Sequence, residues 1–472
     1  MSTIDPTTIL RTALHSTKDL LDPHGKDCFL ARAPGRLDVM GGIADYTGSL
    51  VCEWPIAQST AVLVQRRDDR HVHLASTNAD QSPAQKFSIN LDDLYGSASL
   101  LPIADVQRLF ASDSHWAAYV VGAYYALAKK RKLTRRVTGA NIAIASTVPQ
   151  GMGLSSSAAL EIAALNALAA AYHVILDPLE TAIIGQRIEN DIVNAPCGIM
   201  DQVTCSMGRA DHLLLLSCQP HDLQGYLTLP PHTQVLGITS GQKHDVGGSP
   251  YRDTRTAAFM AHAIIARAYK DFGLRADPTA GYLANISPPF YRRYLRHLLP
   301  RTMTGAAFQK QFGETIDRIT TPEPDRTYHV RSAADHHIVE NARVHQFVTA
   351  LRAAHVDPIP NLRRAGRLMS AAHASYSHRA RLGSDETATI VRLLNQLPKD
   401  LRPYGAKITG GGSGGTVAVL APTGDAFDTA LHTICDQFHA ATGKTATLIR
   451  GSSPGAAETP IERLPVRALL AN

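Results

Sequence analysis

The sequence predicts a protein of mixed α and β structure, and three observations carry that expectation. Apolar runs containing β-branched residues, VCEWPIAQSTAVLVQRR (51–67) and GANIAIASTVP (139–149), read as strands. Two longer stretches, HWAAYVVGAYYALAKKRK (115–132) and SSAALEIAALNALAAAY (156–172), read as helices. A glycine–serine turn joins the second strand directly to the second helix.

The remaining elements follow along the chain. Residues 7–21 are expected to form an amphipathic helix, and FLARAPGRLDVMG (29–41) to enter a strand and then a loop. VHLAST (72–77) and KFSINL (86–91) read as short strands. The helix at 115–132 ends in basic residues, which suit the negative end of its dipole. DHLLLLSC (211–218) and TQVLGITSG (233–241) read as strands separated by a polar, proline-containing link. A boundary is placed in that link, at about residue 225, giving an N-terminal domain of residues 1–225 and a C-terminal domain of residues 226–472. Beyond it come the helical FMAHAIIARAYKDFG (259–273), a stretch at 275–345 expected to be irregular, and a proline-rich tail.

Composition narrows the class. With 44% hydrophobic and 19% charged residues in 472, a substantial core is available. A net charge of +6 is mild for this length. The basic run RRYLRHLLPR (292–301) has few interleaved aromatics and reads as a solvated helix face, so no nucleic-acid partner is expected. No unbroken apolar stretch is long enough for a membrane span, and the N-terminus lacks a signal-peptide pattern. The six cysteines lack metal-type spacing and read as reduced thiols, mostly buried, in a cytoplasmic protein. The adjacent pair His336-His337 is expected at a solvated surface.

The chemistry begins at PQGMGLSSSAAL (149–160). Glycines there allow a tight turn and close approach of a ligand to the backbone. A serine run opening a helix offers free N–H groups, hydroxyls and the positive end of the dipole, which together suit phosphate. The Gly-Lys-Ser/Thr ending of a Walker A loop is missing. Taken alone, the loop is read equally well as a buried helix with a flexible turn. Two further segments tip the balance. One is APGRLDVMGGIADYTG (33–48); the other is KITGGGSGGT (407–416), with five glycines in six residues. So many glycines cost backbone entropy and bring no side chain to a core, so close approach to a ligand explains them better.

These three segments, in this order, resemble the GHMP kinase family of small-molecule kinases, which includes galactokinase, mevalonate kinase and homoserine kinase. The resemblance runs from about Phe29 to about Arg450. It implies an α+β fold with an N-terminal unit like ribosomal protein S5 domain 2, a ferredoxin-like C-terminal unit, and an active site between them. ATP would be cradled by Gly151, Met152, Gly153, Leu154, Ser155, Ser156 and Ser157, with Gly411 and Gly412 from the third motif. Mg²⁺ would be held by Ser157 and Glu189, the latter twelve residues before Asp201. Asp201, in PCGIMDQ (196–202), resembles the galactokinase aspartate that meets the anomeric hydroxyl, as base or as orienting group. Arg36 matches the arginine that pairs with it and neutralises the migrating phosphoryl group. The physical logic stands apart from the family: a cation beside a carboxylate keeps it ionised and also stabilises charge on a transferred group.

The subfamily rests on a departure. Galactokinases read GEHTDY where this chain has Gly41-Gly42-Ile43-Ala44-Asp45-Tyr46. Their Glu and His meet the sugar C6 hydroxyl, and their Asp meets the ring hydroxyls. Here Asp45 is kept and the C6 clamp is gone. L-Arabinose in its pyranose form is galactose without the C6 hydroxymethyl. The string GRLDVMGGIADYTGSLV, together with HDVGGSPYRDTR, RTMTGAAFQKQFG and Ser413 of the third motif, resembles the kinase domain of plant L-arabinokinases. The resemblance implies a sugar site of Gly42, Ile43, Ala44, Asp45, Gly198 and Tyr251, and an ATP-dependent L-arabinose 1-kinase, monomeric or homodimeric. The alternatives are a galactokinase, another aldose or heptose 1-kinase, and a non-catalytic sugar sensor. The sensor is disfavoured because Ser157, Glu189 and Asp201 are all present. Replacing Gly42 with Glu and Ile43 with His is expected to restore a polar partner for a C6 hydroxyl, unless Gly42 holds a positive φ that glutamate cannot adopt.

Overall fold

The computed structural model describes residues 5–10, 20–78, 85–97, 99–110, 112–242, 249–273, 277 and 279–470. Among these residues, fourteen strands form three sheets. The large sheet contains β1 (Cys28–Met40), β2 (Leu50–Arg66), β3 (His71–Asn78), β4 (Gln85–Asn90), β5 (Ala140–Ser146), β6 (His212–Ser217), β7 (Asp222–Thr228) and, from the end of the chain, β14 (Glu462–Leu464). Its order is β14-β1-β2-β5-β3-β4, with β6 also on β2 and β7 outside β6. Every pair is antiparallel except β3 with β5. The small sheet is antiparallel, in the order β11 (Gly405–Ile408), β12 (Thr416–Pro422), β8 (Thr233–Thr239) and β13 (Leu448–Ile449). Two short strands, β9 (Met303–Thr304) and β10 (Thr327–Tyr328), pair with each other.

The helices that matter to the site are α1 (Ala118–Lys129), α2 (Ser156–Ala171), α3 (Pro178–Arg187), α4 (Met200–Met207), α5 (Ser249–Asp271), α6 (Val330–Ala353), α7 (Pro358–Ser375), α8 (Asp385–Gln396) and α9 (Asp425–Thr442). Helix α2 is apolar all round and rich in alanine, the pattern of a fully buried helix. It packs on β1 and β2, beneath α1 and α3. The largest core joins these elements to Val344, Phe347, Leu351, Leu362 and Met369 of α6 and α7, so both halves of the chain share it. A separate core lies between the small sheet and helices α8 and α9.

Two sequence expectations are corrected. Residues 330–345, expected to be irregular, lie in the 24-residue helix α6. That helix buries Asp335, His336, His337 and Glu340, so its polar positions conceal its inward face. The polar link 219–233 contains a strand, β7, on the open side of β6, where one face meets solvent. Residue 225 lies within β7, and the chain passes to the small sheet between Thr228 and Thr233. Of the helix expected at 7–21, residues 6–10 are helical and 11–19 lie outside the described residues. Five cysteines are buried and none is bonded to another.

Candidate active site

Two irregularities in β1 aim its side chains into the molecule. The register with β2 shifts between Pro34 and Arg36 and again between Asp38 and Met40. Bulges of this kind redirect side chains beside active sites. The Arg36 N–H donates to Leu154 O at 3.1 Å, fastening the bulge to the glycine–serine loop. Arg36 is 2% exposed. Its Nη1 donates to Gly153 O at 2.6 Å, and its Nε donates to Asp201 Oδ1 at 2.9 Å. On its other side Nε lies 3.4 Å from Glu53 Oε2. Burial alone opposes the Arg36 charge, but Asp201, Glu53 and Asp38 hold its pKa above the ordinary value.

Helix α2 begins at Ser156, so the serine run does open a helix. Ser155 stands before it in the left-handed region, with φ 58°, and makes no cap with its side chain. Its buried Oγ has no hydrogen-bond partner among the described residues, which leaves it free for a ligand oxygen. Thr416 Oγ1 donates to Met152 O at 2.7 Å, tying the third glycine motif to this loop.

Glu189 lies on a π-helical turn, Ile188–Ile192, at the end of α3. Such turns are frequent at functional sites. Burial and the Asp201 charge push its pKa up to about 7, against hydrogen bonds from Ser157, Cys197 and Gln202. Gln202 Nε2 donates to Glu189 at 2.7 Å and to Glu161 at 3.1 Å. Ser157 and Glu189 thus offer a hydroxyl and a carboxylate, hard oxygen donors that suit Mg²⁺. The described residues contain no cluster of three or more His, Cys, Asp and Glu able to hold a metal. Two protein oxygens are enough for Mg²⁺ bound through phosphates.

Asp45 faces this centre from the 3-10 turn Gly42–Thr47. A Cβ on Gly198 would lie 1.7 Å from Asp45 Oδ2, so only glycine lets the carboxylate sit there. Burial and the Asp201 charge push the Asp45 pKa up to about 7, against the N–H groups of Tyr46 and Met200 and the charge of Arg255.

One pocket of about 610 Å³, including its open mouth, collects these groups. Arg36, Ile43, Asp45, Gly151, Gly153, Leu154, Ser155, Ser156, Ser157, Glu189, Gly198, Asp201, Tyr251 and Gly411 all line it. Gly42, Ala44, Met152 and Gly412 do not. The segment 243–248 of the HDVGGSPYRDTR stretch lies outside the described residues.

Several supporting groups escaped the sequence reading. His336 and His337 are fully buried, not solvated. His337 lies 3.1 Å from both Thr47 Oγ1 and Tyr46 Oη, and burial lowers its pKa to about 3. A neutral imidazole with both nitrogens paired is tolerated in a core. Lys407 and Asp38 form a fully buried ion pair at 2.6 Å. Burial, then Asp38, holds Glu53 well above the ordinary carboxylate range. A signal existed for Lys407 alone: a lysine immediately before an apolar, glycine-rich run.

The exception foreseen for the Gly42→Glu exchange applies. Gly42 has φ 50°, and a Cβ there would lie 1.8 Å from Tyr376 Oη. Glutamate cannot enter without displacing that tyrosine, so the double exchange cannot restore a C6 clamp.

The family models match in three places. They are the GHMP kinases N terminal domain (118–209), the GHMP kinases C terminal domain (348–440) and the galactokinase galactose-binding signature (22–66). L-Arabinokinase of Arabidopsis thaliana is 36% identical over 91% of this chain, which spans 46% of that protein's length. Galactokinase of Roseiflexus sp. (strain RS-1) is 30% identical over 89% of this chain and 90% of its own. The fold matches the crystal structure of Lactococcus lactis galactokinase complexed with galactose, with TM-score 0.73, 19% identity, and coverage of 97% of this chain and 100% of that one. It also matches Methanococcus jannaschii mevalonate kinase, with TM-score 0.52, 14% identity, and coverage of 91% and 99%. Motifs, pocket and relatives agree: the chain belongs to the GHMP kinase family, in its galactokinase-like branch.

Proposed function

We propose that this protein transfers the γ-phosphoryl group of ATP to the anomeric hydroxyl of L-arabinose, giving L-arabinose 1-phosphate and ADP. GHMP kinases use ATP. The observation that carries the reading is the Arg36–Asp201 pair, set in one pocket between the glycine–serine loop and the Gly42–Asp45 turn. In this reading the anomeric oxygen attacks the γ-phosphorus and the bond to the ADP oxygen breaks. Asp201 orients the hydroxyl and accepts its proton. Arg36 opposes charge on the migrating group. Phosphoryl transfer is mostly positioning and charge neutralisation, which these groups supply. Ser157 and Glu189 would hold Mg²⁺, which when bound neutralises phosphate charge. Glu189→Gln is then expected to raise the Mg²⁺ concentration for half-maximal rate. A titration overlaying the wild type would make Glu189 structural.

The sugar rests on Ile43. It is buried with Tyr251, Tyr376, Leu382 and Ile408 in an apolar cluster and also lines the pocket. A buried C6 hydroxyl would find no partner there, costing about 1–3 kcal/mol. The test is competition with both sugars present. L-Arabinose is expected to be favoured in kcat/KM by roughly ten- to a few hundred-fold, since an apolar pocket rejects one polar group weakly. Faster turnover of D-galactose would establish the galactokinase reading, which the matched galactose-binding signature favours.

Asp45 adds a pH signature. Its pKa is pushed up to about 7 in the protein without sugar. Accepting hydrogen bonds from two ring hydroxyls favours the ionised form, whose oxygens are the stronger acceptors, so sugar binding expels a proton below that pH. KM for the sugar should therefore rise as pH falls below about 7, by up to roughly tenfold per unit, and level off above. Asp45→Asn should raise KM and flatten the profile. A flat wild-type KM across this range would remove Asp45 from the sugar contact.

A further inference from the structure

Tyr376 lies outside the pocket, yet its hydroxyl joins the pocket's two sides. The residue opens a π-helical turn, Tyr376–Ala380, at the end of α7 and is fully buried. Its Oη accepts from the Ile43 N–H at 2.7 Å and donates to Gly410 O at 2.9 Å. Ile43 belongs to the turn that carries Asp45, and Gly410 opens the third glycine motif; both line the pocket. The same oxygen fills the space beside Gly42, where a Cβ would lie 1.8 Å away.

The tyrosine is itself held. His336 meets its ring edge-on, with centroids 5.0 Å apart, and Lys407 Nζ lies 5.2 Å from its centroid. Asp38, the partner of that lysine, accepts the Gly42 N–H at 3.0 Å. Two successive N–H groups of the acceptor turn, at Gly42 and Ile43, therefore end on one buried cluster. That cluster fixes where the Ile43 side chain stands.

We propose that Tyr376 is a positioning residue that sets sugar specificity: its hydroxyl seals the space beside Gly42 and holds Ile43 against the pocket, closing the side toward which a C6 hydroxymethyl would project. The inference rests on the reading above, in which the Gly42–Ile43 pair faces that end of the sugar. It adds a residue that touches neither substrate and acts through the turn.

Tyr376→Phe keeps the ring and removes only the bridge. Thermal melting and circular dichroism establish that it is folded. Then kcat and KM are measured for L-arabinose, D-galactose and ATP. KM for L-arabinose should rise roughly tenfold or more with a smaller change in KM for ATP, and the arabinose-to-galactose ratio of kcat/KM should fall several-fold. A purely structural tyrosine would lower stability or the active fraction and leave the ratio unmoved; an unchanged ratio in folded enzyme overturns the proposal. If Tyr376→Phe does not fold, Tyr376→Leu serves instead, because it keeps an apolar side chain in the buried site and likewise removes the hydroxyl bridge. It too must lower the ratio, and an unchanged ratio in that variant overturns the proposal equally. The wild-type ratio tests the sugar assignment, whereas its change in the variants tests Tyr376, so the two fail separately.

Discussion

Asp201→Asn enzyme is expected to fold normally, bind ATP within a few-fold of wild type, and lose about 10²- to 10⁴-fold in kcat. The side chain keeps its shape, and one oxygen can still accept from Arg36 Nε, which lies 2.9 Å away in the wild type. What is lost is the charge and the ability to take a proton. Asp201 is 20% exposed through the pocket mouth, so the exchange strands no buried polar group. Binding of ATP by calorimetry and turnover by coupled assay separate the two effects. A variant with wild-type kcat would remove the assigned role. A loss of only about tenfold would make Asp201 an orienting group, because a loose transition state needs little prior deprotonation.

The residues that line the pocket were legible because each sits in a compact motif whose local chemistry is unusual. Glycine and serine at 151–157, a carboxylate after PCGIM, and APGR before a glycine-rich turn all announce themselves within a dozen residues. The residues that hold those motifs in place were not legible. Tyr376, Lys407, Glu53 and His337 come from separate elements and meet only after folding. Each is a polar side chain that is fully buried because its partner arrives from elsewhere in the chain. Sequence polarity therefore argued against burial at the very positions where pairing makes burial possible. The histidine pair shows the error plainly: polarity suggested surface, and pairing with Thr47, Tyr46 and Ser375 put it inside.

Local pattern also misled at β7 and α6, for two different reasons. In β7 exposed and half-buried residues alternate along the open side of the sheet, and the flanking prolines resemble loop punctuation. In α6 four ionisable residues face inward near the site, so the apolar stripe that signals a helix is interrupted. Local pattern predicted elements well where a face is uniformly apolar, as in α2. It failed where the strand lies at an open, solvated side, as in β7, and where the buried face carries ionisable groups, as in α6.

Arg36→Ala is expected to be costly twice, and the two costs are separable. In the fold, the guanidinium bridges Asp201, Glu53 and the Gly153 carbonyl from three different elements. Breaking a buried ion pair by removing one partner typically costs about 3–5 kcal/mol, and the glycine–serine loop loses its side-chain tie to β1 at Gly153 O while keeping the backbone bond from residue 36 to Leu154 O. Glu53 limits the damage: it is buried, and its pKa stands well above the ordinary range, so it takes up a proton when its cation is gone. In the chemistry, loss of one positioned donor at developing charge costs about 10²- to 10³-fold in kcat. Arg36→Lys separates the effects. It keeps a charge but loses the planar fork whose separate nitrogens serve Gly153 O and Asp201. Its stability should recover further than its turnover. Urea unfolding and single-turnover rates on all three proteins make the comparison. An alanine variant that is destabilised yet turns over within tenfold of wild type would place Arg36 in the scaffold and leave the migrating phosphoryl group to another cation.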